Sequence, residues 1–166
     1  NVMLLAALET LYGNDFGLSA IPGFIKGGEY ILHMVGPSCL PFNFGDSGSR
    51  MRLNTSLFWF ARKTKNPALL RNECKLLLEI PNYDYEQYRR MLPSIFVLGK
   101  DINLANLPKP KVDMFAAKNE APVCLMRSSW KEDAIYVGIK GGKASANTHT
   151  HLDAGSFVMD AQGVRW

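Results

Sequence analysis

Leu107-Pro108-Lys109-Pro110 divides a sequence of 166 residues into two parts with different periodicity. Two prolines in four residues remove two backbone donors and hold the chain extended, so neither a helix nor a sheet ladder is expected to run through this point. A domain boundary is expected there, with residues 1–107 on one side and 108–166 on the other.

Before the boundary, apolar residues recur at helical spacing. Val2, Leu4, Leu5, Leu8 and Leu11 form a stripe that should stop at Gly13-Asn14, a left-handed cap. Residues 28–35 predict a second helix, ended by Gly36-Pro37. Asn54 or Ser56 would cap a third, burying Leu57, Phe58, Phe60 and Ala61. Asn66-Pro67 reads as a cap followed by proline in the first turn, ahead of Leu69, Leu70, Leu76, Leu77 and Ile80, with Pro81 as terminator. Tyr85, Tyr88 and Leu92 predict one more helix before Pro93, and Gly99 closes the helical region. Helix pairs joined by short polar turns are the expected architecture.

Beyond the boundary the period changes to two. Val123, Leu125 and Arg127 alternate with Cys124 and Met126, and Ile135, Val137 and Ile139 alternate with Tyr136 and Gly138. Residues 156–161 and 164–166 continue the pattern around Gln162-Gly163, a two-residue hairpin turn. This half predicts antiparallel sheet, so the fold class is α+β.

No apolar run approaches the roughly 20 residues of a membrane span, and none is expected. Cys39, Cys74 and Cys124 lie far apart with no CxxC pair, as small core residues do. The net charge of +4 would suit a polyanion. The basic residues between Arg62 and Arg90 nevertheless alternate with apolar ones as on an ordinary solvated helix face, so no nucleic-acid partner is inferred. The sequence starts inside an amphipathic pattern and stops in strand-like sequence, as an internal piece of a longer protein would.

His149-Thr150-His151 is the sharpest chemical feature. Residues i and i+2 of a strand project from one face, and two imidazoles there can converge on one metal or one ligand. Asp153 and Asp160 are near enough in sequence to join them. Two histidines that merely hydrogen-bond in a loop would give the same spacing.

The surroundings are more specific. Residues 141–166 read GGKASANTHTHLDAGSFVMDAQGVRW. The histidine pair followed by Leu152-Asp153-Ala154-Gly155-Ser156-Phe157 and by Gly163-Val164-Arg165-Trp166 closely resembles the metal- and substrate-binding signature of the heparinase II/III polysaccharide lyase family. Upstream, Leu8-Glu9-Thr10-Leu11-Tyr12-Gly13, Pro22-Gly23-Phe24, Gly36-Pro37-Ser38 and Phe42-Asn43-Phe44-Gly45-Asp46 are similar to the family's order of helices and loops. The resemblance extends over nearly the whole chain.

It implies part of an α/α toroid followed by the opening strands of an antiparallel β-sandwich. It also implies cleavage of uronate-containing acidic polysaccharide by β-elimination in a bacterial periplasmic or secreted setting. Matched residue by residue, His149 assists catalysis at the uronate and His151 is a ligand of a structural zinc. The family's catalytic tyrosine and Asn-His pair match nothing in this chain and would precede it, and further zinc ligands would follow it. Many members have Asn directly before the first histidine; here Thr148 stands there and Asn147 one place earlier. Asp153 fits either a metal ligand or a turn cap.

Three other residues are candidates for substrate contact. Asn43 and Asp46, in a polar loop between helices, could meet sugar hydroxyls or form an Asx turn into the next helix. Trp130, between Ser129 and Lys131, is the tryptophan expected to be exposed for stacking on a sugar ring, whereas Trp59 should be packed. His33 reads as a core histidine. The alternative to a lyase is a cupin-like metal- or carbohydrate-binding β module without elimination chemistry.

Overall fold

A computed structural model describes residues 1–79, 91–118, 122–142 and 151–166. The chain is a mixed α+β protein, with five α-helices preceding a five-stranded antiparallel sheet among the described residues. It forms two compact units, one of Asn1–Leu32 with Arg52–Pro108 and one of His33–Met51 with Lys109–Trp166. The second unit is thus discontinuous. It takes up a loop-rich stretch that sequence periodicity had grouped with the helices.

The first unit holds α1 (Val2–Tyr12), most of α2 (Gly27–His33), α3 (Ser56–Lys63), α4 (Arg71–Glu79) and α5 (Leu92–Leu98). The α1 helix ends as expected at Gly13, whose left-handed backbone (φ 74°) lets its N–H donate to the Glu9 carbonyl. At α3 the side chain of Asn54 accepts from the Ser56 N–H at 3.2 Å, although Thr55 occupies the cap position. This helix is buried over Leu57 to Ala61, Trp59 included. The Trp59 indole donates to Glu9 Oε2 at 2.9 Å, and Lys63 bridges Glu9 and Asp15 at 2.6 and 2.9 Å.

Two expectations here are corrected. Asn66-Pro67 opens a 3-10 turn, Pro67–Leu70, with no side-chain cap bond, and α4 starts only at Arg71. Pro93 begins a helix instead of ending one: it lies in the first turn of α5, where its missing N–H has no partner to lose, and Gly99 caps the far end. Ile80, Pro81, Tyr85 and Tyr88 lie outside the described residues.

In the second unit the strands run β1 (Met114–Ala117), β2 (Val123–Arg127), β3 (Tyr136–Lys140), β4 (Phe157–Ala161) and β5 (Val164–Arg165), each antiparallel to the next. Gln162 and Gly163 close the last hairpin with φ of 54° and 75°, the paired positive values that match the twist of the flanking strands. The register puts Leu125, Gly138 and Val158 on one face. Phe42 covers it so closely that a Cβ at Gly138 would stand 2.8 Å from the Phe42 ring. Burying Phe42 contributes up to about 3 kcal/mol. Tyr136 is completely buried on the same face and donates its hydroxyl to the His33 carbonyl at 3.0 Å. Ile135 and Ile139 therefore point outward, 53% and 39% exposed.

The opposite face carries Met114, Val137, Ile139, Phe157, Met159 and Val164 in register, and four of these are more than a third exposed besides Ile139. Among the described residues no helix is long and apolar enough to cross a membrane. Cys39, Cys74 and Cys124 are half-buried free thiols.

Candidate functional site

The segment after the histidine pair is shaped by its own turn. Asp153 accepts through its carbonyl from the Ser156 N–H at 3.0 Å, Gly155 takes a φ of 88°, and its N–H returns to the Lys140 carbonyl at 2.8 Å. Ser156 then enters β4 opposite Lys140, which donates to its carbonyl at 2.9 Å. This turn fixes where His151 and Asp153 leave the sheet.

A second loop meets it. Phe42 anchors that loop by donating to the Met34 carbonyl at 2.8 Å and by packing edge-on to Phe44, with ring centroids 5.0 Å apart. Gly45 turns with a φ of 60° and donates its N–H to Asp153 Oδ2 at 3.1 Å. Lys140 holds the other carboxylate oxygen of Asp153, and its ammonium lies 5.5 Å from the Phe44 ring centroid. The Lys140 contact, outweighing partial desolvation, keeps Asp153 below the usual carboxylate range. Next to Gly45, Asp46 places Oδ1 at 2.9 Å from His151 Nε2.

Two of the expected site residues are therefore brought together, Asp46 and His151, their side chains 63% and 45% exposed. Asn43 is exposed in the same loop. His149, with Asn147 and Thr148, lies outside the described residues. Asp153 has both oxygens engaged, by Gly45 of the second loop and by Lys140 of β3, so its side chain ties these together. Lys140 and Gly45 were not singled out by the sequence, since only the fold makes them neighbours of Asp153.

Two candidates lie elsewhere. Trp130 is buried, correcting the expectation of an exposed sugar platform: its indole donates to the Val112 carbonyl at 3.1 Å, and the Arg127 guanidinium sits 3.6 Å from its ring centroid. Asp160 pairs with Tyr136 at the opposite end of β3 from Lys140, four residues or about 13 Å away along the strand. There it is completely buried, bonded to Arg165 and to Ser38. It is not a partner for His151.

His33 occupies the core as expected, between the rings of Phe115 and Trp130 at 6.0 and 5.2 Å. Its Nδ1 finds no partner among the described residues, and burial, reinforced by Arg127, lowers its pKa to about 4. Among the described residues no group of three His, Cys, Asp or Glu side chains comes together as a metal-binding set. No protein-family model matches the chain, and no curated protein matches it.

Proposed function

We propose that the chain is part of a heparinase II/III-like polysaccharide lyase that cleaves heparan sulfate-like or alginate-like glycans by β-elimination. In that role it supplies a supporting histidine and part of a structural zinc site. The resemblance of residues 141–166 is the sequence basis. The structural observation that carries it furthest is the contact of Asp46 with His151, because it joins two stretches that the sequence singles out separately, the polar loop of Asn43 and Asp46 and the segment of the histidine pair.

The chemistry asks for such a site. The C5 proton of a uronate is acidic enough to remove only when the neighbouring carboxylate is neutralised, and the departing O4 needs a proton. His149 would stand by the uronate. The base and acid would come from segments preceding this chain. An imidazole whose ring nitrogen meets a carboxylate is the arrangement usual at zinc-ligating histidines, so His151 and Asp46 fit a zinc centre. Zinc, where bound, would fix the segment that carries His151.

The architecture is read in the same way. The helices would belong to an α/α toroid, and the sheet, whose outer face is apolar from Met114 to Val164, would be one layer of a β-sandwich. A periplasmic or secreted location follows from the family alone.

Release of unsaturated uronate, followed by its absorbance, tests the proposal. Residues 1–166 alone should release none from heparan sulfate or alginate. A longer protein containing them should do so, and His149→Ala there should slow turnover by about 100-fold or more. A longer protein inactive on every uronate glycan would overturn the reading. Tight zinc binding completed by residues of this chain alone would favour a cupin-like module instead.

A further inference from the structure

We infer that Asp46 is a positioning residue for the metal at His151, and that His151 coordinates through Nδ1. This rests on the reading of His151 as a zinc ligand given above. The starting point is the 2.9 Å contact between Asp46 Oδ1 and His151 Nε2. A carboxylate only accepts hydrogen bonds, so Nε2 must carry the proton. In a neutral imidazole the lone pair is then on Nδ1, the one nitrogen left to bind a metal.

The pair is held from both sides by a single clamp. Gly45, adjacent to Asp46, donates to Asp153 Oδ2 at 3.1 Å, and Asp153 lies two residues from His151 in the chain. Lys140, reaching from the end of β3, holds the other oxygen of Asp153. One carboxylate, Asp153, thereby sets the approach of the other, Asp46, to the imidazole. At 63% and 45% exposure an ion pair between Asp46 and His151 adds little to stability. Orientation of the ring is what the contact supplies. A carboxylate behind a ligating imidazole also raises its basicity, and loss of such a partner typically costs 10- to 100-fold in metal affinity.

The test is long-range proton–nitrogen NMR of the histidine rings in a longer protein that contains residues 1–166, above the ordinary titration range of histidine, without and then with added zinc ion. The expected result is a His151 ring protonated on Nε2, with zinc perturbing Nδ1. Asp46→Leu should give mixed tautomers and a zinc affinity about 10- to 100-fold weaker, whereas Asp46→Asn, which keeps an accepting oxygen, should retain the Nε2–H form. Asp46 is exposed, so both variants should keep the wild-type backbone spectrum. A ring protonated on Nδ1, or equal zinc affinity in Asp46→Leu, would overturn the inference and leave a His151 zinc site standing. A His151 ring indifferent to zinc would remove that site as well.

Discussion

Asp160 and Arg165 face each other across the β4–β5 hairpin, and the Asp160 carboxylate is entirely buried. Its other oxygen accepts from the N–H and the hydroxyl of Ser38 at 3.1 and 2.5 Å, while the guanidinium of Arg165 also donates to the Leu40 and Pro41 carbonyls at 3.0 and 3.3 Å. A charge taken out of water persists only with such partners.

Asp160→Ala should therefore destabilise the chain by about 3–5 kcal/mol, since it strands the Arg165 charge. Ser38→Ala, which removes one hydroxyl donor, should cost about 1–2 kcal/mol. Urea unfolding followed by tryptophan fluorescence measures both, and equal losses in the two variants would contradict this account.

Gly36 lies against the same carboxylate. A Cβ there would stand 2.1 Å from Asp160 Oδ2 and 2.9 Å from the Tyr136 ring. Both neighbours are immobilised by their own bonds, so Gly36→Ala should cost about 2–3 kcal/mol, read as a lowered urea midpoint with an unchanged slope.

His33 gives the second unit an acid limb. Its folded pKa of about 4 lies below the ordinary 6.5, because burial and then Arg127 disfavour the charged ring. The unfolded chain thus takes up the proton first. The associated stability is full above about pH 6.5 and is lost as pH falls toward 4. His33→Phe keeps ring contacts with Trp130 and Phe115 and should lose less stability over that interval than wild type.

Glu73 acts with the opposite sign. On α4 it is buried with Oε2 unpartnered among the described residues, and burial pushes its pKa from 4.5 to about 8. The folded state holds the proton longer, so stability is greatest below pH 4.5 and declines as pH rises toward 8. Glu73→Gln, which mimics the protonated acid, should remove that decline and raise the melting temperature on the alkaline side. A variant as pH-sensitive as wild type would show that Glu73 is charged in the fold.

The Asp153 clamp makes an exchange prediction. Gly45 donates its N–H only to that carboxylate among the described contacts. Asp153→Ala should therefore speed amide exchange at Gly45 by about 10-fold or more, while Leu125 and Met126 in the centre of the sheet keep their protection.

Much of the secondary structure was legible because its causes are local. The Gly13 cap, the Gln162-Gly163 turn and the alternation of β2 each follow from a few adjacent residues. β1 escaped notice since Met114 to Ala117 is too short for a period to register. Trp130 misled because its polar neighbours suggested exposure, whereas its environment is set by Val112 and Arg127. The candidate site was half legible: composition and spacing single out His151, but its partner Asp46 lies 105 residues away. Nothing in a linear pattern reports which loop a turn will face.

Ser38 and Asp160 are separated by 122 residues, and that distance orders events during synthesis. The stretch containing Phe42 leaves the ribosome long before the strands that bury it, so it must wait with its aromatic rings uncovered. Closing a loop of this length is slow compared with forming local helices. The helical turns can therefore form early, while the second unit gains its inner face only when the β4–β5 hairpin emerges. Truncation or stalling before Arg165 would leave an unfinished sheet, and chaperone capture should concentrate on that interval of translation.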